Sequence, residues 1–166
     1  RRTFITRPGW RMLSADWSQI ELRILAHFSA DPALVDAFQR GLDIHRRTAG
    51  ELFGVAPEAV TSQQRTIAKT VNFATIYGQG ATSLGQILDI PRKEAKQYID
   101  NYFKAYQGVR DWLDRTIKEA HQNGYVTTLL GRRRYIPELS SNSEITRTAG
   151  ERIAATVPAC RHAHAV

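Results

Sequence analysis

The sequence predicts an α+β fold that is mostly helical, and two observations carry this prediction. Apolar residues recur at helical spacing along most of the chain, whereas only short stretches have the β-branched content typical of strands. Hydrophobic residues make up 42% of the 166 residues, which allows a core and argues against wholesale disorder. No apolar run reaches the length of about 18 residues that a membrane-spanning helix needs, so no membrane contact is expected.

Composition narrows the class of partner and the compartment. The net charge is +7, which favours polyanionic partners such as nucleic acid or nucleotides, although a basic surface also serves solubility alone. The single cysteine, Cys160, excludes an internal disulfide and favours a reducing, cytoplasmic setting. The chain begins with arginines rather than methionine and shows no signal peptide, so we expect it to derive from a longer protein.

The first half of the chain is expected to form a short strand followed by helices. Residues 11–16 follow the turn-forming pair Pro8-Gly9 and are predicted to be the strand. Ser18 and Glu21 have the S-x-x-E spacing of a capping box, which favours a helix that begins at Ser18. The helices are predicted over residues 18–29, from residue 31 onward, and over residues 43–53 with Gly54 at the end.

The second half continues the helical pattern and adds one strand. Helices are predicted over residues 61–77, 81–88, 91–106, 108–122 and 143–157. Gly78 and Gly124 mark two of the helix ends, and Pro91 suits a first helical turn. The β-branched content of residues 125–129 predicts a strand there.

One predicted helix carries a stripe of chemically distinct side chains. Arg65, Lys69, Phe73 and Tyr77 recur every four residues and therefore share one slowly winding side of the helix. Arg65 and Phe73 are separated by roughly 12 Å along the axis, about the reach from the phosphates to the base of a nucleotide. The cations would hold phosphates and the aromatics would stack on sugar and base. The alternative is an ordinary amphipathic helix with core aromatics and solvated cations.

Two segments resemble signature motifs of family A DNA polymerases, the bacterial DNA polymerase I type. The stripe has the form R-x3-K-x3-F-x3-Y-G, with Asn72 before Phe73, and is similar to the family's motif B. The segment D-W-S-Q-I-E-L-R, which starts at Asp16, resembles motif A, which usually has tyrosine in place of Trp17. The two motifs stand in the family's order. The resemblance disfavours a third reading, a basic helical interaction protein without a nucleotide.

The resemblance implies part of a right-hand polymerase fold, a partial palm plus fingers. Residues 1–30 would be a palm segment with motif A, residues 31–124 the fingers, and residues 125–158 the return to the palm. Residues 159–166 match nothing in the family, so we expect a divergent tail that arose by frameshift or truncation. The tripeptide His-Asp-Glu of the family's motif C occurs nowhere in the sequence.

The same resemblance implies template-directed DNA synthesis, with nucleotidyl transfer from a dNTP to a primer 3′-hydroxyl and two Mg²⁺ ions. Asp16 and Lys69 would be catalytic, and Asp16 with the backbone carbonyl of Trp17 would bind metal. Oxygen ligands are those that Mg²⁺ prefers, and the end of a strand is a rigid place for a carboxylate. Glu21, besides its capping role, would be the steric gate against ribonucleotides. The implied nucleotide-binding residues are Gln19, Glu21, His45, Arg65, Lys69, Phe73 and Tyr77.

The implied contacts with primer-template DNA come from Tyr77, Arg132, Arg133 and Arg152. Arg132 and Arg133 belong to a G-R-R-R-Y segment that resembles a turn of the family, and a solvated charge run is the alternative. Without motif C, we expect the isolated chain not to extend primers and its parent to act as a monomer. A non-catalytic nucleotide- or DNA-binding fragment is the alternative function.

Overall fold

The computed structural model describes residues 5–14 and 17–160, and this part of the chain is mostly helical with one small antiparallel sheet. The α-helices, in chain order, are α1 (Ile20–Ser29), α2 (Pro32–Gln39), α3 (Ile44–Phe53), α4 (Ser62–Ile76), α5 (Ala81–Leu88), α6 (Arg92–Ala105), α7 (Gln107–Asn123) and α8 (Glu144–Cys160). Strands β1 (Tyr125–Thr127) and β2 (Arg133–Tyr135) lie between α7 and α8, and short 3₁₀ helices span Pro57–Ala59 and Pro137–Ser140. The α+β, mostly helical fold class is confirmed.

Hydrogen bonds to backbone groups explain where several helices begin and end. Asp43 accepts from the backbone N–H groups of the second and third residues of α3, and Thr61 accepts from the backbone N–H of Gln64 in α4 at 3.2 Å. The Gln64 side chain accepts in return from the Thr61 backbone, which completes a capping box. Gly54 and Gly124 adopt the left-handed conformation that ends α3 and α7. The predicted ends at these two glycines are confirmed.

A single buried carboxylate joins the beginnings of α2 and α7. Asp31 is 2% exposed, and its Oδ1 accepts from the backbone N–H groups of Ala33 and Leu34 at 3.0 and 3.1 Å. Its Oδ2 accepts from the backbone N–H of Gly108 at 2.9 Å. A Cβ at position 108 would lie 2.9 Å from Asp31 Cα, so this approach requires glycine. The contact fixes α7 against the first half of the chain.

The larger hydrophobic core lies among α1, α3, α4, α6 and α7. Its side chains that are at most 1% exposed include Leu22, Leu25, Ile44, Val71, Tyr102 and Val109. Full burial of one such apolar side chain contributes about 1.5–3 kcal/mol. Because the core takes the side of α4 that carries Ala68, Val71 and Ala74, the side with Lys69 stays at the surface. Within residues 5–14 and 17–160, no helix is both long and apolar enough to cross a membrane.

A smaller core supports the β1–β2 hairpin. Val126 of β1 packs with Ala120 of α7 and with Ala154 and Val157 of α8, and Ile136 joins them directly after β2. The strands pair in antiparallel register, with Tyr125 opposite Tyr135 and Val126 opposite Arg134. The hairpin is therefore held by one buried strand position, while β2 itself is exposed throughout.

The strand predicted over residues 11–16 is wrong for residues 11–14, which have no regular secondary structure. Met12 and Leu13 are 58% and 90% exposed there. A strand needs a neighbour for its backbone hydrogen bonds, and the described residues place none beside this segment. Residues 15 and 16 lie outside the described residues.

The capping box predicted at Ser18 and Glu21 is also wrong. Helix α1 begins at Ile20, and its N-cap Gln19 is left-handed, with φ 55°, and offers no side-chain cap. The left-handed turn moves Ser18 out of the capping position. The Glu21 carboxylate instead accepts a hydrogen bond from the hydroxyl of Tyr77, a residue distant in sequence.

Two predictions in the last third of the chain need correction. The G-R-R-R-Y segment was predicted as a turn, but Arg133, Arg134 and Tyr135 form β2. The turn precedes them, where the backbone N–H of Gly131 donates to Thr128 O at 2.9 Å and Gly131 has φ 80°. Helix α8 also runs on to Cys160, beyond its predicted end at residue 157.

Candidate active site

The predicted stripe lies on α4 and extends from its second turn to its C-terminal cap. Arg65, Lys69 and Phe73 are within the helix, and Tyr77 is its C-cap. The rings of Phe73 and Tyr77 are stacked, with centroids 6.5 Å apart. Lys69 is exposed and forms no ion pair with the described part of the chain. Among the residues that the structure describes, the stripe thus presents one unpaired cation, Lys69, and a two-ring aromatic platform on the same side of the helix.

Arg65 is held in place by the residue that caps α3. Its Nε donates to Asp43 Oδ2 at 2.7 Å, while Asp43 Oδ1 accepts from the backbone N–H groups of His45 and Arg46 at 3.0 and 3.2 Å. Burial alone would raise the pKa of Asp43, but the Arg65 hydrogen bond and these backbone donors together lower it. Asp43 is therefore a carboxylate at neutral pH. The pair is about one-third exposed, so its role is to orient Arg65 more than to stabilise the fold.

His45 lies beneath the stripe and is 3% exposed. Its ring centroid is 6.0 Å from that of Phe73, and its Nδ1 lies 3.0 Å from the amide nitrogen of Asn72. Burial lowers the pKa of His45. The positive charges of Arg65 and Lys69 lower it further, whereas the negative charge of Asp43 opposes the shift. His45 is therefore a neutral imidazole at pH 7.

The C-terminal end of α4 meets two other helices. The Tyr77 hydroxyl donates to Glu21 Oε1 of α1 at 2.8 Å. Gly78, with φ 62°, lies against α8, where a Cβ at position 78 would be 3.2 Å from Arg152 Cγ. Gln19, the N-cap of α1, lies two residues from Glu21. The structure therefore brings Glu21, Tyr77 and Arg152 together at one end of the stripe.

The predicted metal ligands are Asp16 and the backbone carbonyl of Trp17. Asp16 lies outside the described residues, and the Trp17 side chain is 68% exposed. Among the described residues, no cluster of three or more His, Cys, Asp or Glu side chains could hold a metal ion. A carboxylate and a carbonyl are donors that suit Mg²⁺, so the predicted ligand types fit this metal. A complete coordination shell would need further oxygen ligands.

The hairpin arginines lie apart from the stripe. Arg132 is in the turn and Arg133 is in β2, and both are exposed. The Arg133 guanidinium lies over the Tyr125 ring, 4.9 Å from its centroid. No hydrogen bond, ion pair or ring contact joins them to α4 in the part of the chain that the structure describes. They form a separate exposed basic patch.

Sequence reasoning missed two buried hydroxyls that belong to the site. Thr48 of α3 and Tyr106, between α6 and α7, are both fully buried, and their oxygens are 2.9 Å apart. Thr48 Oγ1 also lies 3.2 Å from Asn72 Oδ1. A polar residue in the middle of an apolar helix face, as Asn72 is, was the available signal, because a buried amide requires partners.

The fold and the stripe together define this chain as a piece of a polymerase domain, and the comparisons with known proteins agree. The model of DNA polymerase family A matches residues 1–159. A thermostable DNA polymerase I of Thermus thermophilus is 48% identical over 158 residues, which are 95% of this chain and 19% of that protein. DNA polymerase I of Chloroflexus aurantiacus is 52% identical over the same share of this chain and 17% of its own length.

A solved structure gives the same result in three dimensions. The POL domain of Pol1 from M. smegmatis, in complex with DNA primer-template and dNTP, matches with a TM-score of 0.81 and 43% identity. The match covers 86% of this chain and 25% of that one. This chain belongs to DNA polymerase family A, whose members are nucleotidyltransferases that use divalent metals. It spans less than a fifth of the length of these two curated relatives.

Proposed function

We propose that this chain supplies the nucleotide-binding part of a DNA-directed DNA polymerase. The parent enzyme would transfer a nucleotidyl group from a dNTP to the 3′-hydroxyl of a primer paired with template DNA. One observation carries this proposal: α4 presents Lys69 and then the stacked rings of Phe73 and Tyr77 along one side. A cation followed by a stacking platform matches the order of a triphosphate and a base in a nucleotide.

The triphosphate would lie along the first half of the stripe. Lys69 is exposed and unpaired within the described residues, so its ammonium group is available to phosphate oxygens. Arg65 keeps its terminal nitrogens available while its Nε is bonded to Asp43. His45 would donate a third hydrogen bond from its remaining ring nitrogen. As negative charge grows on the leaving pyrophosphate, Lys69 would stabilise it.

The sugar and base would lie along the second half. The Phe73 ring would pack on the sugar and Tyr77 would stack near the base pair. Glu21, held by the Tyr77 hydroxyl at 2.8 Å, would occupy the space that a ribose 2′-hydroxyl needs. Gln19 would complete the nucleotide pocket at the beginning of α1.

Chemistry at the primer end would involve Asp16 and the Trp17 carbonyl as ligands of Mg²⁺. Two bound ions would promote loss of the proton from the primer hydroxyl and stabilise the departing pyrophosphate. Because the second carboxylate of the family's motif C does not occur in this sequence, we propose that the isolated chain binds nucleotide without turnover.

The domain assignment and the DNA contacts follow the same proposal. Residues 1–30 and 125–158 would belong to the palm and residues 31–124 to the fingers. Arg152 would touch the template beside Tyr77, since α8 packs on Gly78 at that end of the stripe. Arg132 and Arg133 would contact backbone phosphates of the duplex further away. The parent enzyme would act as a monomer in the cytoplasm of a bacterium or of a phage-infected cell.

A graft tests the catalytic part of this proposal. Residues 1–158 would replace the matching segment of the Thermus thermophilus DNA polymerase I, and primer extension would be measured with dATP and Mg²⁺. We expect the graft to extend primers and Asp16→Ala to abolish extension. Phe73→Tyr should increase incorporation of dideoxynucleotides without changing that of deoxynucleotides. A folded graft that never extends primers would refute the polymerase assignment.

The isolated chain provides the complementary measurement. We expect it to bind dATP with Mg²⁺ and not to extend a primer. Template-dependent extension by the isolated chain, lost in Asp16→Ala, would refute the proposal that this chain alone is non-catalytic.

A further inference from the structure

A chain of buried polar side chains runs through the core to His45. The Tyr106 hydroxyl lies 2.9 Å from Thr48 Oγ1, which is 2.8 Å from Ile44 O and 3.2 Å from Asn72 Oδ1. The Asn72 amide nitrogen lies 3.0 Å from His45 Nδ1. Tyr106, Thr48 and Asn72 are 0% exposed. Burial of this many polar atoms is tolerated because each of them has a partner.

The directions of these hydrogen bonds follow from the chemistry of the groups. An amide nitrogen can only donate, so His45 Nδ1 must accept and cannot carry the proton. The one hydroxyl proton of Thr48 is shared in a bifurcated hydrogen bond between Ile44 O at 2.8 Å and Asn72 Oδ1 at 3.2 Å. The Thr48 oxygen therefore accepts from the Tyr106 hydroxyl. The amide of Asn72 is thus held at both ends. A neutral His45 in this setting must carry its proton on Nε2.

The second ring nitrogen of His45 remains available. Nε2 has no hydrogen-bond partner within residues 5–14 and 17–160. In that part of the chain, Gln79 Oε1 and Tyr102 Oη are the side-chain polar atoms that are both fully buried and without a hydrogen-bond partner. Because Nε2 has no partner and is not one of these two atoms, it is not fully buried and retains contact with solvent. Phe73 lies on one side, with its centroid 6.0 Å from that of His45. The Nε2–H group is therefore a donor that borders the α4 stripe.

We propose that Asn72, held by Thr48 and Tyr106, is a positioning residue that keeps the His45 proton on Nε2, where it donates to an oxygen of the incoming triphosphate. This inference rests on the proposed function, because it requires the triphosphate to lie beside His45. The other neutral form of the ring would direct a lone pair at an anion and repel it. The tautomer that Asn72 selects is the one that binds.

The charged groups around His45 make this selection necessary. Burial disfavours an imidazolium, and Arg65 and Lys69 of α4 disfavour it further, whereas Asp43, the N-cap of α3, favours it. Because the imidazolium, which would donate from both nitrogens, is disfavoured, the neutral ring has to hold its single proton on the correct side.

The wild-type chain tests the tautomer without any substitution. We would record long-range proton–nitrogen correlations of the histidine rings in the ¹⁵N-labelled 166-residue chain at pH 8, and assign His45 by its loss in His45→Phe. The expected pattern is that of a ring protonated on Nε2. A ring protonated on Nδ1, or equal populations of the two forms, would overturn the proposal.

Nucleotide affinity tests whether Asn72 acts through His45. We would measure binding of dATP with Mg²⁺ to four forms of the full chain: wild type, Asn72→Leu, His45→Phe and the double variant. Loss of one directed hydrogen bond predicts roughly three- to tenfold weaker binding for Asn72→Leu. In the His45→Phe background, Asn72→Leu should add no further loss. An equal loss in both backgrounds would overturn the proposal, since Asn72 would then act without His45.

Two further variants separate the possible failures. The exposed Asn142→Leu is the matched control and should bind dATP as wild type does. If Asn72→Leu loses helical circular dichroism, Tyr106→Phe replaces it, because that change removes only the hydroxyl that supports Thr48. Unchanged binding in His45→Phe would refute the placement of the triphosphate in the proposed function, whereas the nitrogen spectrum would still decide the tautomer.

Discussion

The α3–α4 pair and the β1–β2 hairpin both carry cations in motifs that resemble phosphate-binding segments, yet they hold these cations differently. In the helix pair, Arg65 is bonded to the residue that caps α3, and His45 is buried and bonded to Asn72. In the hairpin, all residues of β2 are exposed, and the guanidinium of Arg133 rests on the Tyr125 ring. The geometry of the α3–α4 pair is therefore fixed before a ligand binds, whereas that of the hairpin arginines is not.

This difference indicates what each region can recognise. Groups fixed in advance lose little conformational freedom on binding, so they can discriminate between ligands of slightly different shape. Exposed arginines on a hairpin provide charge without a defined geometry, which suits the uniform backbone of a nucleic acid. We therefore expect substitutions in the helix pair to alter stability and nucleotide affinity, and substitutions in the hairpin to alter mainly the salt dependence of DNA binding.

The largest expected effect on stability is that of Thr48→Val. The substitution keeps the shape of the side chain but leaves the buried Tyr106 hydroxyl and Asn72 Oδ1 without their partner. We expect a loss of about 2–3 kcal/mol in the free energy of unfolding, measured by urea denaturation. Thr66→Val on α4 is the matched control and should cost less than about 0.5 kcal/mol, because within the described residues its exposed hydroxyl bonds only to Ser62 O. Equal losses would show that the buried network does not stabilise the helix pair.

An intermediate effect is expected from pH, through His45. Its folded-state pKa lies below the ordinary value of 6.5, so below pH 6.5 the unfolded chain binds a proton that the folded chain resists. Stability should therefore be lost as the pH falls from 6.5 toward the folded-state pKa, by about 1.4 kcal/mol for each unit between the two values. His45→Gln should remove this part of the dependence in denaturant titrations at pH 5 and 8. An unchanged dependence would mean that another group causes it.

The smallest effect on stability is expected from Arg133→Ala in the hairpin. Its contact with the Tyr125 ring is at the surface and contributes about 0.5–1 kcal/mol at most. If Arg133 contacts a DNA phosphate, the substitution should reduce the slope of log affinity against log salt by about 0.9 for duplex DNA. Lys93→Ala on α6, also exposed, is the control and should leave the slope unchanged. A loss of stability comparable to that of Thr48→Val would erase the difference between the two regions.

Local signals in the sequence were sufficient for most helices. Gly54 and Gly124 ended α3 and α7 as predicted because left-handed caps depend on the glycine itself. The shared side of Arg65, Lys69, Phe73 and Tyr77 also followed directly from helical geometry. What these predictions have in common is that each depends on residues within one helix and its cap, about three helical turns apart at most.

Features that depend on distant residues were not predicted. Glu21 bonds with Tyr77, 56 positions away, instead of capping its own helix. The link between Thr48 and Tyr106 spans 58 positions, and neither residue belongs to a recognisable motif. Strand β2 was missed because two of its three residues are arginines, which are not among the β-branched and aromatic residues that indicate a strand. Its pairing with β1 and the burial of the adjacent Ile136 decided the outcome. Tertiary contacts override local preference in each of these cases.

The central claim is that the α4 stripe binds a nucleoside triphosphate, and titration of the 166-residue chain with dATP and Mg²⁺ tests it most directly. The wild type would be compared with Lys69→Ala and with the control Lys104→Ala, an exposed lysine on α6. Loss of a charge-assisted contact to phosphate predicts at least about tenfold weaker binding of dATP for Lys69→Ala. The control Lys104→Ala should bind dATP with the affinity of the wild type. Equal affinities of Lys69→Ala and the wild type would contradict the claim.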